Sequence, residues 1–280
     1  MIAARSTIAA ELTQARVTQI VNDVKLLPSG AAAMPAAIND NVADGSAVQT
    51  GMDSRTEVTF ADQTLARLSA NTIFSFNKGT RNLDLADGAM LLRVPKGASG
   101  AKISTAAVTA ALGGTTVIVE FHPHAYLKFI TLEGTARLYL KHRWGESVLV
   151  RAGEMLITNP DAKSLPDPVD VDLERLLKTS RLIIDFPTIG SEKLIAKETE
   201  KQQRAKSKKN LIDTNLVIFG KGTVVSLINP AQMTAASPPV ATAVTSGSEA
   251  IPSSTDLGTI ETPPNPAGLA PTNRAADNPR

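Results

Sequence analysis

The chain is predicted to be mainly β: a roll or solenoid-like β-sandwich of short, mostly antiparallel strands, followed by a helical insertion, a C-terminal hairpin and a disordered tail. Three observations predict it. Between about Ala47 and Asn159, runs rich in Val, Ile, Leu, Phe and Thr recur roughly every eight to twelve residues, with turn residues between them. Within those runs the apolar positions alternate, as in Val117, Val119 and Phe121 against Thr116, Ile118 and Glu120, the period-two sign of a strand. Gly88, Gly134 and Gly153 stand at or near the ends of runs, where a positive backbone angle is useful.

Residues 1–40 form an Ala-rich lead. Its stretch Arg16–Leu27 places Val17, Ile20, Val21 and Val24 at helical spacing but is β-branched, so helix and strand both remain open. Residues 41–160 form the β domain. "RTEVTF" sets Val58 and Phe60 on one face with Glu57 and Thr59 on the other, and "ADQT" turns the chain into "LARLS". "NTIFSF", "LDL", "GAMLLRV", "AKIST", "TTVIVEF", "AYLKFITLEG", "TARLYL" and "SVLVRAG" continue the series. Residues 161–228 change period. "DVDLERLLKTSRLI" clusters Val171, Leu173, Leu176, Leu177 and Ile183 as one short amphipathic helix. Residues 191–210 read as a second, mostly solvated helix that Ser191 can cap, and "TNLVIFGKGTVVSLI" reads as a hairpin around Gly220-Lys221-Gly222 that packs back onto the β domain or a partner's sheet edge. Residues 229–280 are low in complexity. Positions 230–280 hold nine of the seventeen prolines and no Phe, Trp or Tyr, too little apolar area to offset the entropy of ordering.

Composition narrows the function classes. At 280 residues the chain can bury a substantial core, and with only 4% aromatics that core must rest on aliphatic residues. A net charge of +2 favours no particular partner, and the absence of cysteine excludes disulfides, Cys-zinc sites and thiol chemistry. No apolar run is long enough to cross a membrane as a helix. The opening "MIAARSTIAAELTQARV" is too short in its apolar patch, and too polar, for a signal-peptide core.

The β zone resembles the FecR-like domain family, named for the bacterial regulator of ferric-citrate uptake. The resemblance lies in an ordered series: "VQTGMDSRTEVTFADQTLARLSANT", "LDLADGAMLLRVP", "ISTAAVTAALGGTTVIVEF", "ITLEGTARLYL" and "VLVRAGEML". Gln63 stands where the family's turn glycine is usual, and Gly113 where Arg is usual. The resemblance implies a periplasmic or cell-surface location and a role in envelope signalling. No counterpart of the regulator's cytoplasmic region and membrane helix is expected in this sequence.

Chemistry-bearing candidates are few. Gly113-Gly114-Thr115-Thr116 lacks the lysine of a phosphate loop and precedes a strand, so it reads as a strand-to-strand corner. His122 and His124 bracket Pro123 beside Glu120, a pair able to share a metal with a carboxylate; a hairpin tip with both rings in water is the other reading. With three histidines and no G-x-S-x-G elbow, no catalytic residue is assigned, and neither an enzyme activity nor a cofactor is expected. Residues 191–210 carry seven cations against three acids. Lys193, Lys197, Lys201, Arg204 and Lys208 are thus candidate contacts for an anionic polymer, although the absence of interleaved aromatics argues against nucleic acid. The expected function is a non-enzymatic FecR-like module that binds a protein partner at the cell envelope. The rival is a structural or adhesive envelope protein binding wall glycan or another surface protein.

Overall fold

The computed structural model describes residues 14–77, 81–141, 143, 145–205 and 211–212. The strands form two sheets facing one another. Sheet A runs in space through β4 (Asn41–Ala43), β1 (Gln14–Val21), β6 (Arg55–Phe60), β7 (Leu65–Leu68), the second half of β9 (Asn82–Arg93), β12 (Thr116–His122), β13 (Tyr126–Glu133), β16 (Glu154–Thr158) and β17 (Val169–Asp170), all antiparallel. Sheet B runs through β3 (Met34–Pro35), β2 (Val24–Leu27), β5 (Ala47–Thr50), β8 (Ile73–Asn77), the first half of β9, β10 (Ala101–Ser104), β11 (Val108–Leu112), β14 (Thr135–Leu140) and β15 (Ser147–Arg151). Among the described strands only β9 and β10 pair in parallel, beside an isolated parallel bridge between Val171 and Ile212. The mainly β expectation therefore holds.

The chain passes repeatedly from one sheet to the other, and glycines mark the passages. β9 pairs with sheet B up to Asp87 and with sheet A from Gly88, so "LDL" and "GAMLLRV" form one strand, not the pair read from the sequence. Gly88 sits at φ +97°, and a Cβ there would lie 2.3 Å from Thr72 Oγ1 and 2.6 Å from Thr72 Cα. Only glycine lets the strand cross at that point. Gly114, at φ +62°, performs the same passage between β11 and β12; a Cβ there would meet Lys96 Cγ at 2.8 Å. The corner read from Gly113-Gly114 is therefore a sheet switch. Gln63, in the family's glycine position, does adopt φ +66°.

Alternation along the strands builds the sandwich core. Val58, Phe60, Met90, Val117, Val119, Phe121 and Phe129 from sheet A meet Val48, Phe74, Phe76, Leu85, Val108 and Leu138 from sheet B. Phe60 and Phe76 bridge the sheets edge to face with centroids 5.0 Å apart. Each fully buried side chain of this size contributes about 1.5–3 kcal/mol of transfer free energy. The ambiguous stretch after Arg16 is resolved as β1 and β2, which pair with β6 and β5 and so belong to the same sandwich.

A third layer covers the outer face of sheet A. It comprises α1 (Leu173–Thr179), α2 (Arg181–Ile184) and α3 (Glu192–Ala205). Asp172 caps α1 by accepting from the Arg175 N–H at 3.0 Å. The single helix expected over "DVDLERLLKTSRLI" breaks at Ser180, whose backbone is extended (φ −74°, ψ 117°). Leu173, Leu176, Leu182, Ile189 and Ile195 pack onto Leu91, Ile118, Ile130, Met155 and Ile157. Alternation in "TTVIVEF" predicts one buried face; the helix layer buries Ile118 on the other as well. The hairpin expected over residues 214–228, the tail over 229–280 and the start of the lead segment lie outside the described residues.

Candidate functional site: a charged crevice beneath the helix layer

Sheet A carries a cluster of polar side chains where α1 and α2 cross it. The period-two rule places Glu120 and His122 on the helix-covered face of β12, and Tyr126, Lys128 and Ile130 on that face of β13. The hairpin register sets Glu120 directly opposite Lys128, and His122 opposite Tyr126. Lys128 Nζ lies 2.5 Å from Glu120 Oε2, the Tyr126 hydroxyl donates to Glu120 Oε1, and the Lys128 side chain is only 10% exposed. Burial works against ionisation of Glu120. The charge and hydrogen bond of Lys128, helped by the Tyr126 hydroxyl and His122, outweigh it and hold the carboxyl below its usual range. Burial, then the neighbouring Glu120, pushes the Tyr126 phenol well above its ordinary value. The pair forms one wall of a crevice of about 300 Å³ that also involves Ser69, Ser180, Arg181 and Leu182.

The histidines separate. His124 is exposed in the hairpin turn. His122, expected in water, has its Nδ1 2.9 Å from Asp87 Oδ1 and its Nε2 3.5 Å from Glu120 Oε1, with the ring edge-on to Tyr126. The two carboxylates address different ring nitrogens and so cannot converge on one ion with that imidazole. Among the described residues, no group of three or more His, Cys, Asp or Glu side chains has metal-holding geometry.

The basic helix is α3. Lys193, Lys197, Lys201 and Arg204 recur at helical spacing on the side away from buried Ile195 and Thr199, and all four are exposed. Lys201 pairs with Glu198 at 2.7 Å, and Arg204 lies 3.8 Å from Glu200, so two of the four are locally neutralised. Lys208 lies outside the described residues. Ser191 precedes α3 as expected, yet its hydroxyl meets Thr116 Oγ1 at 3.0 Å.

One arginine is buried where strand alternation points it outward. Arg67 is fully buried on the same face of sheet A, its Nε 2.8 Å from Glu57 Oε2. It donates to the carbonyls of Leu182 at 3.1 Å and Pro187 at 2.5 Å, and lies 4.9 Å from the Phe186 ring centroid. Arg55 Nε lies 2.8 Å from Asp185 Oδ2, within ion-pair distance though its N–H is not aligned for a hydrogen bond. These arginines staple the segment that closes the crevice onto the sheet.

The open edges of the sandwich are unequal. β3, β4 and β17 span two or three residues each, and Ile212 hydrogen-bonds beside β17 to Asp170 and Asp172. β15 is longer and pairs with β14 alone among the described strands, with Ser147, Val148 and Leu149 half-buried.

Residues 46–137 match the family model described as FecR protein. The FecR match runs from the start of β5 into β14 and so takes in strands of both sheets. No curated protein shows a significant match. Among solved structures, a crystal structure of a candidate anti-sigma factor from Parabacteroides distasonis is 14% identical, with a TM-score of 0.40, over 67% of this chain and 91% of that one. A second crystal structure so described, from the same organism, is 13% identical at the same TM-score, over 67% and 90%. No helix among the described residues is long and apolar enough to cross a membrane.

Proposed function

We propose that the chain is a non-enzymatic regulatory module of the bacterial envelope, periplasmic or at the cell surface, that acts by binding a protein partner. The observation that carries this reading is the FecR match over residues 46–137. The geometry favours strand addition as the mode of contact. Among the described residues no second strand pairs with β15, whose edge is five residues long with half-buried apolar side chains beside it, and such an edge accepts an extended segment of a partner. The shorter edges offer too few hydrogen bonds for that.

The test is made in the native host with the full chain. A photo-crosslinking residue is placed at Leu149 and, as a control, at His124. The expected result is recovery from the envelope fraction, with a protein adduct from position 149 and none from 124. Recovery from cytosol alone refutes the location. Equal adducts at both positions, or none at 149, refute the edge as the contact.

A further inference from the structure

We propose that the crevice between sheet A and the α1–α2 segment is a binding site for a small aliphatic zwitterion of the α-amino acid class. The inference goes beyond the regulatory reading and does not depend on it. It starts from hydrogen-bond capacity. An ammonium carries three donors and a carboxylate about four acceptor sites. Lys128 spends one donor on Glu120, and Glu120 accepts from Lys128 and Tyr126. With His122 Nε2 also 3.5 Å from Glu120 Oε1, two donors and about one acceptor site remain on a pair that borders the crevice. Leaving buried polar capacity unused is costly, so a ligand presenting both a carboxylate and an ammonium gains on each side.

Charge balance selects the class. The Lys128–Glu120 pair is neutral as a unit. Arg181 is nearly two-thirds exposed and lies 4.0 Å from Asp185, so it adds little net field. A simple anion would meet the Glu120 carboxylate, and a simple cation the Lys128 ammonium; a zwitterion can place each end against its complement. The apolar part of the wall supplies the rest. Ile118, Ile130, Leu176 and Leu182 border the space, which suits a branched aliphatic side chain. A space of about 300 Å³ admits an amino acid of leucine's size with room left for water. Ser180, which caps no helix with its side chain, adds a hydroxyl at the rim.

The experiment is titration calorimetry and thermal shift of the full chain with three probes of the same carbon skeleton: L-leucine, 4-methylpentanoate and 3-methylbutylamine. Leucine is expected to bind and raise the melting temperature, while each single-charge probe binds at least about tenfold more weakly, for loss of one charge-assisted contact. The double variant Lys128→Met/Glu120→Gln is expected to lose leucine binding. Because that variant removes a buried pair and can fold poorly, Ala89→Leu serves as the second: it changes no charge, fills the space at a half-exposed position and is expected to abolish binding with melting retained. Binding of 4-methylpentanoate as tightly as leucine would make this an anion site and overturn the proposal. So would the absence of leucine binding, or leucine binding that survives Ala89→Leu.

Discussion

Replacing Arg67 with Met tests what holds the helix layer on the sandwich. Methionine fills much of the arginine's volume but carries no charge, so two consequences follow together. Glu57, whose side chain is 8% exposed, loses the partner 2.8 Å away and keeps, among the described residues, the Thr18 hydroxyl donor at 2.8 Å. The carbonyls of Leu182 and Pro187 lose their donors in a segment more than 110 residues distant in sequence. Breaking one side of a buried ion pair costs about 3–5 kcal/mol, chiefly for the charge left behind. For a chain of this size each kcal/mol lowers the melting temperature by about 2–4 °C, so a fall of roughly 6–20 °C is expected. Urea unfolding followed by circular dichroism gives the free energy, and hydrogen exchange gives its location. The amides of residues 182–195 should lose protection before those of β12 and β13. Adding Glu57→Gln should restore part of the loss, since the stranded charge is removed while the two carbonyls stay unsatisfied. A single variant within about 1 kcal/mol of wild type, or a double variant less stable than Arg67→Met alone, would refute the reasoning.

Three further outcomes are expected. Gly114→Val puts a β-branched residue at φ +62° with its Cβ 2.8 Å from Lys96 Cγ; it should cost about 2–5 kcal/mol in a thermal melt, the sum of left-handed strain and overpacking, and an unchanged melt would discount the sheet-switch role. Two carboxylates pull stability in opposite directions with pH. Glu120 sits below its ordinary 4.5, so its contribution is present above that value and is lost as pH falls through the lowered pKa. Glu133 is pushed above 4.5, by burial first, against the Thr116 hydrogen bond, so its contribution is full below 4.5 and is lost as pH rises through the raised pKa. Glu133→Gln should therefore flatten the neutral limb of a stability–pH profile, and a profile left unchanged would count against the burial assigned to it. The α3 stripe, with two of its four described cations paired, should hold an anionic polymer only at low salt. Retention on a polysulfate column beyond about 0.2 M salt, or low-salt binding left unchanged by Lys193→Gln/Lys197→Gln, would contradict that.

The sandwich was legible because its cause is local. Alternation in "RTEVTF" and "TTVIVEF" reports a buried face within six or seven residues, and the glycines report the turns. The same alternation cannot say what covers the second face. In "LARL" the pattern sends Ala66 and Leu68 inward and Leu65 and Arg67 outward, toward apparent solvent. That Arg67 is fully buried depends on Leu182–Pro187, which arrive only through the folded topology. The break at Ser180 has the same origin. The apolar positions of "DVDLERLLKTSRLI" fit one helix, and only docking onto the sheet, with the Leu182 carbonyl turned to Arg67, distinguishes one helix from two.

The crevice lies between these cases. In "VIVEFHPHAYLKFI" the hairpin turns at Pro123–Ala125, so residues equidistant from His124 face one another, and Glu120 and Lys128 are such a pair. That opposition could be read from the hairpin once the turn was placed, whereas attention to the two histidines pointed at the turn itself, where His124 is exposed. What no local pattern contains is the roof of helices α1 and α2, and the roof turns an ordinary cross-strand ion pair into a buried one. An exposed cross-strand pair contributes a fraction of a kcal/mol; beneath a roof the cost of desolvation grows, and here Lys128, Tyr126 and His122 together outweigh it for the Glu120 carboxylate. The position of the Lys128–Glu120 pair on the wall of an open crevice is the reason the leucine titration, rather than another melt, is the informative measurement on this face of the protein.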